Sequence, residues 1–176
     1  MFFKSPLLIL FALNCLLTFS QETVYDVARH GCAADMEALI EEFPKAINFK
    51  NSRGYTPLTL ACYSGNKEVV EVLAKHVKDI DVGSNYGTPL MAAAFKGNSE
   101  IVKILIANGA DVNITDANNV SALHYAVRFT NKKMIELLVN NNADIHLKDY
   151  KGLSSLDYAI KDKDDDIIKI LKKEKL

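Results

Sequence analysis

Thr88-Pro89-Leu90-Met91-Ala92-Ala93-Ala94-Phe95-Lys96-Gly97-Asn98-Ser99-Glu100-Ile101 decides the architecture. Thr88 is a hydroxyl residue suited to cap a helix, and Pro89 follows at the first helical position, where a missing amide proton costs nothing. Ala92, Ala93 and Ala94 allow close helix approach, and Gly97 is a stop signal. A second helix then begins, with an apolar stripe at Ile101, Val102, Ile104 and Leu105. The stretch also recurs along the chain. Thr56-Pro57-Leu58 lies 32 residues earlier, and Ser121-Ala122-Leu123 and Ser154-Ser155-Leu156 follow at steps of 33. A fixed period of this length marks a stacked repeat, in which no unit can bury its stripe alone.

Outward from that stretch, each unit reads alike. The first helices start at Thr56, Thr88, Ser121 and Ser154 and stop at Gly65, Gly97, Thr130 and Lys163. The second helices carry Val69, Val70, Val72 and Leu73, then the Ile101 stripe, then Met134, Ile135, Leu137 and Leu138. Between units, polar tips with Gly54, Gly87 and Gly152 predict hairpin-like turns. Three irregularities stand out. The third unit lacks a residue between Gly87 and Thr88, the first has an extra one around Phe43-Pro44, and Val77 stands where a glycine is expected.

With Thr-Pro-Leu, the Ala-rich first helix, Gly-Asn-x-Glu at Gly65 to Glu68 and Gly97 to Glu100, and Gly109-Ala-Asp-Val-Asn113, the chain resembles the ankyrin-repeat family. The resemblance implies an all-α solenoid of helix-turn-helix units with hairpin-like loops. We read about five repeats, two of them caps, over residues 21–176: approximate units 21–48, 49–81, 82–113, 114–146 and 147–176. Val24 to Gly31 resembles the family's degenerate first repeat. Lys161 to Asp166 and Lys172 to Lys175 would wet the other end.

The resemblance also implies where a partner is met, because ankyrin stacks use their turn tips and the exposed ends of the first helices. Mapped residue by residue, the candidate protein-binding residues are Arg53, Tyr55, Tyr63, Tyr86, Phe95, Lys96, Arg128, Phe129 and Tyr150. Stacking alone does not require Tyr63, Phe95 and Phe129, and aromatic and Arg side chains mark interface hot spots. The expected mechanism is preorganised docking, with little ordering entropy left to lose.

Catalytic signals are weak. His30, His76, His124 and His146 fall in different units with no nucleophile signature beside them. His124 sits where the family carries a structural histidine that bonds neighbouring turns. Asp162, Asp164, Asp165 and Asp166 lack the central Gly and distant Glu of a calcium loop, so they are expected to solvate a turn and favour the following helix. Asn113-Ile114-Thr115 and Asn119-Val120-Ser121 match a glycosylation pattern but occupy repeat positions with local structural work. We expect no catalytic residues, no cofactor and no metal.

Composition bounds the rest. With 49% apolar and 24% charged residues and a net charge of -1, the chain offers no field for polyanions, so nucleic acid is not an expected partner. Residues 1–20 read as a cleaved signal peptide: Lys4, an apolar run from Leu7 to Leu17 too short to span a bilayer, and Thr18-Phe19-Ser20 at the cleavage site. Cys15 lacks the preceding small residue of a lipid-attachment site. Of the remaining cysteines, Cys62 reads as a small buried residue, and its pairing with Cys32 is left open. The expectation is therefore a periplasmic or secreted monomer with no membrane insertion after cleavage, by family resemblance a bacterial one. It would bind another protein on its concave face as an adaptor or stabiliser of the envelope. An immunity-type inhibitor occluding a toxin is the alternative, and an enzyme with an unrecognised site the third reading.

Overall fold

The computed structural model describes residues 23–172. The leader expected over 1–20, with Cys15 and the Ser20 cleavage point, lies outside the described residues, as do Lys173 and Lys175 of the wetted end.

Helices follow one another in pairs: α1 (23–30) with α2 (Ala33–Glu42), α3 (Pro57–Ser64) with α4 (Lys67–His76), and α5 (Pro89–Phe95) with α6 (Ser99–Ala107). Then come α7 (Ala122–Arg128) with α8 (Lys132–Asn140), and α9 (Ser155–Lys161) with α10 (Asp165–Leu171). Among the described residues there are no strands, only isolated bridges at the tips. The short helices α3, α5, α7 and α9 pack successively on one another, and α2, α4, α6, α8 and α10 form a second row behind them. The result is an all-α repeat solenoid.

Local chemistry repeats with the fold. Thr56, Thr88 and Ser154 accept the backbone N–H three residues on, with Pro57 and Pro89 at the first helical position. Ser121 caps α7 in a reciprocal box with His124, whose ring Nδ1 lies 2.9 Å from the Ser121 hydroxyl and accepts the Ser121 N–H. All four expected stops lie in the left-handed region, at Gly65, Gly97, Thr130 and Lys163. The next residue in each case donates its N–H to an alanine carbonyl, of Ala61, Ala93, Ala126 or Ala159. Asn66, Asn98, Asn131 and Asp164 then cap the second helix through their side chains. The apolar stripe is buried at Val69, Val70, Val72, Leu73, Ile101, Val102, Leu105, Met134, Ile135 and Leu138, while Ile104 and Leu137 are only half-buried.

The tips show the expected irregularities. Asn51, Asp116 and Asp149 each span four residues to a carbonyl at Tyr55, Val120 or Leu153, and each side-chain Oδ1 accepts two further backbone N–H groups across the tip. Asn119 takes the glycine's left-handed place in the fourth unit. In the third unit the tip is one residue shorter, and Ser84 and Gly87 exchange both backbone bonds at 3.0 Å. Such a tight closure leaves no room at Gly83, where a Cβ would lie 2.1 Å from the Gly87 carbonyl oxygen. Around Phe43-Pro44 the chain forms a 3₁₀ turn, Ala46–Asn48, that buries Ala46 and Ile47.

Candidate functional site

Two aromatic rails bridge the second and third repeats. On the tip side, Tyr55 stacks on Tyr86 with ring centroids 6.1 Å apart. On the helix side, Tyr63 at the end of α3 stacks on Phe95 at the end of α5, 6.3 Å apart and 13° from parallel. Phe95 then meets the edges of Phe129 and Tyr125, each at 5.5 Å. Tyr63 is 51% exposed, Phe95 43% and Tyr86 73%, so these rings shield one another without being removed from water. Each such pair contributes about 0.5–1.5 kcal/mol beyond area burial. The helix-side row therefore stabilises the repeat junction as well as standing ready for a partner.

Between the rails lies a groove of about 470 Å³, floored by Leu60, Met91 and Ala92. Five of the nine candidate residues line it: Arg53, Tyr55, Tyr63, Tyr86 and Phe95. Lys96 Nζ stands 4.8 Å above the Tyr63 ring, and Phe129 adds to the row through Phe95. Arg128 and Tyr150 are exposed but do not line the groove. The tip register explains Tyr150. It is the first residue after the Asp149 closure, whereas Arg53 and Tyr86 are second after Asn51 and Ser84.

Among the lining residues outside the candidate set are one cation, Arg29, and one aromatic ring, Tyr125. Arg29, on α1, reaches the groove from the first unit. Tyr125, on α7, closes it from the fourth, and burial raises its hydroxyl pKa. Tyr125 occupies the position of Leu60 and Ala92, four residues after the helix cap. That register was the available signal.

The polar network at the far end is structural. The Ser121 N–H donates to His124 Nδ1 at 3.1 Å, which makes Nδ1 an acceptor and leaves the proton on Nε2. Nε2 donates to the Leu153 carbonyl at 3.3 Å, in the next unit's tip. Burial pushes the His124 pKa down and keeps the ring neutral. Ser121 and His124 are each 1% exposed, so the hydroxyl and ring in contact are sealed from any substrate. Asp149 anchors the same tip. Burial favours its neutral form, but bonds from Tyr158 Oη at 2.6 Å and from the Leu153 and Lys151 amides outweigh that and hold its pKa low. The same bond to Asp149 pushes the Tyr158 hydroxyl up to about 12.

Other candidates resolve similarly. Asp164 caps α10 and Asp165 and Asp166 lie in its first turn, with Asp166 paired to Lys132 at 2.6 Å. Among the described residues no group of three or more His, Cys, Asp or Glu is arranged to hold a metal. Asn113 donates its amide to the Asn142 carbonyl and accepts the Asp144 N–H, which is the structural work expected of it. Cys62 is buried and Cys32 exposed, and both are free thiols. No helix among the described residues is long and apolar enough to cross a membrane.

The family model for ankyrin repeats, in three copies, matches residues 24–116 and 108–175. No curated protein matches the chain.

Proposed function

We infer function from the premise that the chain belongs to the ankyrin-repeat family, whose stacks are generally protein–protein interaction modules and typically non-enzymatic. We propose that this chain is such a module, acting in the bacterial envelope as an adaptor or stabiliser after removal of residues 1–20. A single observation carries the binding reading: the half-exposed row Tyr63, Phe95 and Phe129 runs beside a groove spanning adjacent repeats. Large aromatic side chains held in place lose little entropy on docking and supply the usual anchors of an interface. The apolar run and small-residue cleavage pattern at the N-terminus support the location.

The test is affinity capture from an envelope extract of the source cells, comparing the wild-type chain with the triple variant Tyr63→Ala, Phe95→Ala, Phe129→Ala. Captured proteins are identified by mass spectrometry, and N-terminal sequencing of the bait expressed in its own cells reads the cleavage point. We expect a partner held by the wild type and weakened by at least about 2 kcal/mol in the triple variant, with mature protein beginning at Gln21. The triple variant will also melt somewhat earlier, because its ring pairs are gone, so circular dichroism must show that it is folded at the capture temperature. Undiminished capture of the same partner by the folded variant would remove the groove from the interface.

A further inference from the structure

Two concavities open beside one another and share a wall. The smaller, about 310 Å³, lies between the tips of the second and third repeats. Arg53, Ser84 and Tyr86 line both it and the larger groove. Their electrostatics are one-sided. Arg29 lies in the larger concavity, Arg53 in both and Lys50 in the smaller, while no acidic side chain among the described residues lines either. Arg53 pairs with no carboxylate among the described residues, and Arg29 has only a 3.4 Å contact with the exposed Asp26. On a chain of net charge -1, this is a local reversal of sign within a cleft, the arrangement that concentrates an oppositely charged partner.

We propose that this double groove docks an acidic peptide: an extended segment of the partner protein with Asp or Glu side chains flanking apolar ones. The proposal rests on the protein-binding reading above and names the chemistry of its partner. Carboxylates of the segment pair with the planar guanidiniums of Arg29 and Arg53, which accept them in two-point fashion. Apolar side chains between them lie on Leu60, Met91 and Ala92, between the two rails. Nucleic acid fits less well. Base stacking uses open ring faces, and one face of Tyr86 is already taken by Tyr55 and one of Tyr63 by Phe95. Three cations also make a short track for a phosphate backbone.

The test is a phage-displayed library of random linear peptides selected on the full chain. Affinities of the selected peptides are then measured by fluorescence anisotropy. The wild type is compared with the double variants Arg29→Glu, Arg53→Glu and Tyr63→Ala, Phe95→Ala, each checked for folding by circular dichroism, and an oligothymidine of ten nucleotides serves as the competing anion. We expect selected peptides enriched in Asp and Glu, at least about tenfold weaker on the charge-reversed variant and weaker in high salt. The charge-reversed chain itself should select peptides rich in Lys and Arg. Peptides without acidic enrichment that still depend on Tyr63 and Phe95 would overturn the acidic partner while leaving protein binding intact. Peptides indifferent to both variants, or an empty selection, would remove the groove as a docking site and the protein-binding reading of this face with it. Oligothymidine binding more tightly than every peptide would assign the groove to single-stranded nucleic acid instead.

Discussion

Asp81 occupies a rung that the chain fills with asparagine on either side. Asn48 Oδ1 accepts the Lys78 N–H, Asp81 Oδ2 the Asp111 N–H and Asn113 Oδ1 the Asp144 N–H, so each side chain reaches into the following unit. The amide of Asn113 also donates, to the Asn142 carbonyl at 3.0 Å. A carboxylate cannot donate, and the other oxygen of Asp81, Oδ1, is buried without a partner. Burial, with repulsion from Asp79 and Asp111, raises the Asp81 pKa despite the opposing Asp111 amide. The folded chain thus holds that proton more tightly than the unfolded one. Stability must fall as pH rises from the unfolded value of 3.8 through the raised one, and level off above it. Asp81→Asn restores the donor, and we expect a gain of about 1 kcal/mol at neutral pH with that part of the acid-range slope removed. Urea denaturation at several pH values checks both. A loss of stability at neutral pH would mean that the ionised carboxylate has a use at the second junction.

At the scale of the helix, Ser155 stands where α3 and α5 have proline. Its hydroxyl is buried with no partner, and as the first residue of α9 its amide has no intrahelical acceptor to lose. Ser154 before it has φ -89° and ψ 168°, close to the -82° and 168° of Thr88 before Pro89, and that extended geometry is what a following proline requires. Ser155→Pro should therefore stabilise by about 1 kcal/mol, through a stiffer unfolded chain and removal of the orphan hydroxyl. Ser155→Ala should recover only the second part. Unchanged or lower urea midpoints for both variants would contradict the equivalence of the units. That equivalence shows what the sequence made legible. Caps, prolines and stops are local, each set by a few adjacent residues, so the element pattern could be read directly, down to Thr130 and Lys163 in the place of glycine. Asn119 escaped because its polar side chain hid a left-handed backbone position. Ser121 was legible as a cap, but the tie of its hydroxyl to His124 within the same turn was not. The groove was legible only in part. Tyr63 and Phe95 are marked as exposed by their register, but Arg29 and Tyr125 join them from 30 or more residues away in sequence, and only the stacking of successive units brings them together.

For the whole molecule, the groove depends on the middle of the stack and not on its end. Its lining runs from Arg29 on α1 to Tyr125 on α7, and nothing in it comes from α8, α9 or α10. Leu105 is fully buried on α6, which packs on α5 and on the neighbouring second helices α4 and α8. Leu171 is also buried, but α10 packs mainly on α8 and α9, in the last of the described helix pairs. In a stack held by nearest-neighbour contacts, a defect spreads only as far as the lost interfaces reach. Leu105→Ala should cost about 2–5 kcal/mol and open the amides of α4, α5, α6 and α8 together, loosening Tyr86 and Phe95 and weakening any ligand of the groove. Leu171→Ala removes a side chain of the same size, yet should raise exchange only in α9 and α10 and leave groove binding unchanged. Hydrogen exchange read by mass spectrometry, with peptide affinity measured on the same samples, separates the two patterns. Equal opening of α3 and α5 by both substitutions would show that the stack melts as one block, with its rails no more secure than its last helix.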